Sequence, residues 1–160
     1  MAKAASPIPK GYHSITSTLT CRDAAKAINF YKKAFGAEEV MRSNSPDGKV
    51  SHAELKIGDS IIFVNDEFPG MNLSHSTSGT PPYGIFLYTP DVDAVFARAV
   101  AAGARVEMPM EDMFWGDRFG KITDPFGHQW ALAMRVEDLT REETNKRAAA
   151  FFAKFAAQKS

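Results

Sequence analysis

The sequence predicts an α+β protein built from two βαβββ modules followed by a C-terminal helix. Three observations point there. A strand-like run, an Asp and an amphipathic helix occur in that order twice, with Asp23 and Asp91 68 residues apart and the Gly36-Ala37 and Gly103-Ala104 stops 67 apart. Three short β signals, separated by turn residues, follow each of these helices. A further helical stripe comes after the second set. A nearly fixed offset of this kind marks an internal repeat.

In chain order, Ser14 to Thr20 is rich in Thr and Ile and reads as a strand. Asp23 leads a helix whose apolar residues at 24, 27, 28, 31, 34 and 35 share one face, and Gly36 stops it. Glu38 to Ser43, Lys49 to Ile57 and Ser60 to Asn65 are the next strands, divided by Pro46-Asp47-Gly48 and Gly58-Asp59. Phe68 to Pro82, full of Gly, Ser, Thr and Pro, reads as a linker. Ile85 to Thr89 opens the second module, and Asp91 leads a helix with its stripe at 92, 95, 96, 99 and 100. Arg105 to Met108, Arg118 to Thr123 and His128 to Arg135 complete it, with Asp124-Pro125-Phe126-Gly127 placed as a type I turn. The modules are therefore expected at 12–66 and 83–135, joined by 67–82, in one compact domain.

The last element, 140–158, opens with a capping box of Thr140 and Glu143. Glu142 and Glu143 lie in its first turn and Lys154 and Lys159 near its end, as the helix dipole prefers. Ala148, Phe151, Phe152, Phe155 and Ala156 form an apolar stripe that must bury against its own sheet or a second subunit. Phe151 and Phe152 differ by about 100° around a helix, so one docking surface does not serve both. The expectation is a homodimer with this helix at or near the interface.

Composition narrows the function. Lys plus Arg and Asp plus Glu are 19 each, leaving no basic excess for nucleic acid. Apolar residues at 44% and charged residues at 24% fit a globular chain rather than a disordered one. The longest uncharged stretch, Phe68 to Pro90, is too polar to supply the roughly 20 apolar residues of a membrane span. The first eleven residues carry no apolar core, so no signal peptide is expected. One cysteine, Cys21, excludes an internal disulfide and a Cys-cluster zinc site, and a reducing cytoplasm is the expected compartment. Cys21 itself reads as a buried structural thiol.

Several motifs together resemble a known family. They are Phe30-Tyr31-x-x-x-Phe35-Gly36-Ala37, His52-Ala53-Glu54-Leu55, Trp115-Gly116-Asp117-Arg118-Phe119-Gly120 and Asp124-Pro125-Phe126-Gly127-His128-Gln129-Trp130. With the duplicated module they are similar to the vicinal-oxygen-chelate superfamily of glyoxalase I, bleomycin-resistance and extradiol-dioxygenase proteins, and to its PhnB-like branch. The resemblance implies one cup-shaped mixed β-sheet with helices outside and the site inside. It also implies four metal-ligand positions, which fall here on Thr16, Ile61 or Ile62, Gly84 and Ala131. A divalent metal needs converging N or O donors, and these residues do not supply them, so no metal cofactor is expected.

What remains is a small-molecule pocket. The pleat sets His52 and Glu54 on the face opposite Ala53 and Leu55, either as general base or ligand anchor or as a polar pair on a half-exposed face. A replacement metal centre on His52 and Glu54 would need Glu111 or His128 as well. Thr16, Thr18, Phe86, Tyr88, Gln129 and Ala131 should line the cup, with Phe86 and Tyr88 either stacking on a planar ligand or packing as core. The resemblance makes the segment around Met110, Phe114 and Trp115 a flap over the cup, and Met and aromatic residues suit adaptable binding. The plainer alternative is a core-covering loop with an Asp117–Arg118 ion pair. The leading expectation is a glyoxalase/bleomycin-resistance-like protein that binds a small organic molecule without metal. The alternatives are a lyase, isomerase or epimerase with Glu54 as base and Arg118 stabilising developing charge, and a protein-interaction module.

Overall fold

The structure is a computed structural model that describes residues 6–68, 74, 81 and 83–158; for Phe155 only the backbone is described. The expected linker lies mostly outside the described residues, as do His75, Lys159 and the Phe155 side chain. The elements run β1 (Thr18–Cys21), α1 (Ala24–Phe35), β2 (Glu38–Asn44), β3 (Val50–Ile57) and β4 (Ser60–Asp66). They continue as β5 (Ile85–Tyr88), α2 (Val92–Ala101), β6 (Arg105–Asp112), β7 (Asp117–Thr123), β8 (Gln129–Arg135) and α3 (Arg141–Ala157). This is βαβββ twice with a helix added. The strands form two four-stranded mixed sheets, ordered β1-β4-β3-β2 and β5-β8-β7-β6. Two units result: residues up to 81 with Pro125–His128, and residues 82–124 with those from 129 onward.

In the first unit, Asp23 caps α1 by accepting the Lys26 amide at 3.1 Å. Gly36 takes φ 67°, so its amide and that of Ala37 close on the carbonyls of Lys32 and Tyr31. The face so presented, Ala24, Ala27, Ile28, Tyr31 and Ala34, is fully buried together with Leu19, Ala53, Leu55 and Val64 of the sheet. β1 pairs parallel with β4, and Asp66 at the end of β4 is buried. Its carboxylate accepts the Ala24 amide at 2.8 Å and the Val50 amide at 2.7 Å, tying the starts of α1 and β3 to one side chain.

The second unit repeats the plan with differences. Asp91 sits at the N-cap of α2 but makes no side-chain cap bond, while Asp93 in the first turn bonds Arg118. β6 extends to Asp112, four residues past the expected end, and carries Pro109 on the edge strand. An edge tolerates a missing amide, and the register shifts between Met108 and Glu111 take up the irregularity. Conversely, β1 begins at Thr18, so Thr16 precedes the strand. α3 has the expected capping box, and Arg147 holds Glu137 through two bonds of 2.7 Å. No described helix is long and apolar enough to cross a membrane.

Removing the Asp66 carboxylate should strand two backbone amides in the core. Asp66→Ala is expected to cost about 2–4 kcal/mol in urea unfolding, since an unsatisfied buried donor costs about 1–3 kcal/mol. An unchanged midpoint would show that the carboxylate is not needed to hold these segments.

Candidate functional site

On the open face of the first sheet, Met41, Glu54, Phe63 and Thr18 form one row across β2, β3, β4 and β1. His52 stands beside it, its Nε2 3.1 Å from Glu54 Oε1 and its ring edge-on to Phe63 at 4.7 Å. Glu54 also accepts a hydrogen bond from the Tyr12 hydroxyl, and the Tyr12 ring tilts over Phe63 at 6.4 Å. The pleat reading of His52 and Glu54 is thus realised, with Tyr12 as a third member. Tyr12 precedes β1 and falls in no periodic pattern, so nothing in the sequence signalled it.

The Tyr12 hydroxyl, with His52 assisting, holds the Glu54 carboxyl below the usual range although burial opposes this. The phenol is pushed up in turn by the same bond. At neutral pH Glu54 is therefore an ionised acceptor with two donors. A carboxylate so stabilised anchors a hydroxyl or amine well but is a weak base, because proton abstraction is most efficient when the pKa lies near the working pH.

The second unit contains an open depression of about 200 Å³ lined by Gly84, Ile85, Phe86, Lys121, Gln129, Trp130 and Ala131. The register explains it. Phe86, Ala131 and Lys121 are aligned across β5, β8 and β7, and Tyr88, Ala133 and Phe119 form the next row. Gly84 and Ala131 leave the floor low, while Phe86 and Tyr88 stand 50% and 56% exposed, which is not core packing. Phe86 and Tyr88 are 4.9 Å apart, and Phe86 continues onto Phe119 at 5.8 Å. Of the expected lining, Phe86, Gln129 and Ala131 meet at this depression. Lys121 is the residue that sequence reasoning missed, although it lies two positions from Phe119 and Thr123 in the same phase of β7.

Asp117 lies on the same face at the start of β7 and is only 1% exposed. Its Oδ2 accepts the Tyr88 hydroxyl at 2.9 Å and the Trp115 indole at 3.0 Å. Its Oδ1 accepts no hydrogen bond from any described residue, and Arg135 Nε stands 3.9 Å away. Asp117 therefore pairs with these groups and not with Arg118. Trp115 packs edge-on to Phe119 at 5.3 Å and to Phe114 at 5.1 Å. Phe114 in turn meets Phe151 at 5.0 Å and Phe152 at 6.2 Å on α3. The expected flap is thus two things: Met110 belongs to β6, and Phe114 and Trp115 sit in the β6–β7 turn under α3.

Arg118 departs from its expected role. It points to the α2 side, where Asp93 takes three bonds of 2.7–3.0 Å and Asp112 one of 3.1 Å. Two carboxylates neutralise it, so it is not a free cation for developing charge. His128 is buried in the first unit, with Nε2 3.1 Å from the Thr20 carbonyl and 3.6 Å from the buried Cys21 thiol. A carbonyl only accepts, so that nitrogen carries the proton and is engaged there.

The residues do not suit the superfamily metal. Thr18 pairs with Phe63 as Phe86 pairs with Ala131, so the partner of Ala131 in the repeat is Phe63 rather than Ile61 or Ile62. The four positions then hold Thr16, Phe63, Gly84 and Ala131, one hydroxyl among them. Among the described residues no three His, Cys, Asp or Glu side chains are grouped to hold an ion, so His52 and Glu54 gain neither Glu111 nor His128.

The family pattern of the Glyoxalase/Bleomycin resistance protein/Dioxygenase superfamily matches residues 12–132. The chain belongs to that superfamily. An uncharacterised Mycobacterium bovis protein is 42% identical to this glyoxalase-superfamily chain over 134 residues, covering 81% of it and 88% of the relative. Among solved structures, TioX from Micromonospora sp. ML1 superposes with a TM-score of 0.63 at 27% identity, covering 78% of this chain and 99% of TioX. A PhnB protein from Bacillus cereus gives 0.61 at 25% identity, covering 76% and 99%. The PhnB likeness and the paired βαβββ modules agree with the motif-based resemblance.

Glu54 provides a titration test of the first-unit cluster. Because its folded pKa lies below the unfolded value, the stability it contributes is present above the unfolded pKa and is lost as pH falls through the folded one. Tyr12→Phe removes the largest cause, so the Glu54 carboxyl should titrate at higher pH than in the parent, read by carboxyl carbon NMR. An unmoved titration would show that Tyr12 does not hold Glu54.

Proposed function

We propose that this glyoxalase/bleomycin-resistance-like protein binds a small organic molecule without the superfamily metal. The observation that supports it best is the depression in the second unit, where half-exposed Phe86 flanks a floor of Gly84 and Ala131 beside the Gln129 amide. An apolar hollow with a few polar groups is the ordinary form of a ligand site. Tyr88 and Trp115, both held by Asp117, extend the aromatic surface, and Phe114 and Met110 support it from the turn and β6. Thr16 and Thr18, with Glu54 and His52, supply the polar groups of the first unit.

The protein is further proposed to act as a cytoplasmic homodimer. Its single cysteine, Cys21, is buried as a thiol, as suits a reducing compartment. Phe151 and Phe152 remain 42% and 60% exposed despite their contacts with Phe114, which favours a second chain as their cover. Native mass spectrometry of the purified protein is expected to give the mass of two chains with no stoichiometric zinc, nickel, manganese or iron. One metal ion per chain would overturn the metal-free reading, and a lone monomer at micromolar concentration would overturn the dimer.

A second reading has its own observation, the Tyr12–Glu54–His52 cluster. In a lyase, isomerase or epimerase, Glu54 would take a proton from carbon while a Tyr12 or His52 donor steadies the product. The lowered Glu54 pKa disfavours this beside simple anchoring. Glu54→Gln is therefore expected to weaken ligand binding modestly, by about threefold to tenfold for one hydrogen bond in the range of 0.5–1.5 kcal/mol. Loss of a measurable turnover in a folded Glu54→Gln variant would establish the enzyme instead.

A further inference from the structure

We propose that the depression in the second unit selects a planar organic anion, such as an aromatic carboxylate, with the Lys121 ammonium as its counter-charge. This rests on the reading of that depression as a small-molecule site and adds the chemical class of the ligand. The argument begins with register. Phe86, Ala131 and Lys121 occupy one row of three adjacent strands, so an aromatic face, a flat gap and a cation follow one another across the sheet. Neighbouring strands lie about 4.8 Å apart, so the row spans the length of a one- or two-ring molecule with one acidic substituent.

The gap itself is shaped for something thin. Gly84 adds no side chain and Ala131 only a methyl, while Phe86 stands at the side with half its surface free. An exposed ring face beside a low floor favours stacking of another ring. The volume of about 200 Å³ is smaller than drug-sized sites of roughly 300–1,000 Å³, which restricts the occupant to a fragment-sized group.

The sign of the ligand follows from the charges around the gap. Lys121 has no hydrogen bond or ion pair with any described residue, in contrast to Arg105, Arg118 and Arg135 of the same unit. The carboxylates of the adjacent strand β6 are Glu107, Glu111 and Asp112. Glu107 is occupied by Arg105 at 2.7 Å and by Thr123 at 2.8 Å, and Asp112 by Arg118. Glu111 pairs in register with Phe119, one row away from Lys121. Gln129 adds an amide that both donates and accepts, so it orients a carboxylate without fixing the charge. The depression thus offers one uncommitted positive charge beside an apolar surface, and an anion with a flat apolar body satisfies both.

The test compares 2-naphthoate with 2-naphthamide, two probes of the same shape that differ in charge, by calorimetry on the full chain and on a Lys121→Met variant. Circular dichroism and the unfolding midpoint serve as the check that the variant is folded. The parent should bind the carboxylate at least tenfold more tightly than the amide, and added salt should narrow that ratio. In Lys121→Met the carboxylate should fall to the affinity of the amide, with the amide unchanged. Equal binding of both probes by the parent, or a preference that survives Lys121→Met, overturns the anion assignment while leaving the small-molecule reading intact. Binding of neither probe at millimolar concentration overturns both. Should Lys121→Met fail to fold, Lys121→Gln replaces it with the same expected outcome.

Discussion

The parallel pairing of the first and last strands of each module is the constraint from which most of the site follows. A parallel pair needs a long crossover, and here the crossover contains a helix and two further strands. Once β1 lies on β4 and β5 on β8, the antiparallel partners β3 and β7 can only add on the other side. The side-chain period of two then decides which residues stand on the open face. Glu54 shares a row with Phe63 and Thr18, and Lys121 shares one with Ala131 and Phe86. The two rows occupy equivalent places in the repeat but carry opposite charges. Duplication has kept the scaffold and changed the chemistry written on it.

Two buried carboxylates show how the modules diverged in what they stabilise. Asp66 accepts backbone amides from two segments and secures the scaffold of the first unit. Asp117 accepts side-chain donors from Tyr88 and Trp115 and secures the aromatic surface of the second. A carboxylate used on the backbone fixes topology, whereas one used on aromatic tips fixes the walls of a pocket. The second arrangement is the less complete, since one Asp117 oxygen accepts no hydrogen bond from the described residues. Arg118 stands next to Phe119 in β7, but the period-two pleat sends it to the helix side, where Asp93 and Asp112 claim it.

Much of the fold was readable because its signals are local. Asp23, Gly36, Thr140 and Glu143 act within a few residues of themselves, and their roles as helix boundaries are those the structure displays. Strand ends were less legible. β6 runs on through Pro109 because an edge strand does not need that amide, and β1 starts late because its register with β4 begins at Thr18. In the site, alternation within β3 was enough to join His52 with Glu54, and phase within β5 and β8 was enough to join Phe86 with Ala131. Tyr12, Lys121 and the pairing of Phe63 with Thr18 escaped, because each depends on which strand lies alongside.

By itself the sequence determined the duplicated βαβββ plan, the caps of α1 and α3 and the alternation that sets His52 with Glu54 and Phe86 with Tyr88. These are properties of residue type and spacing, which the chain carries before it folds. The tertiary structure decided which side chains became partners: Tyr12 with Glu54, Asp117 with Tyr88 and Trp115, Arg118 with two carboxylates, and Lys121 with the open depression. Partnership across strands depends on register, and a shift of one residue would send Glu54, Tyr88, Asp117, Arg118 and Lys121 to the opposite faces of their sheets. Register is set by hydrogen bonds between segments more than forty residues apart, such as Thr18 with Phe63 and Phe86 with Ala131.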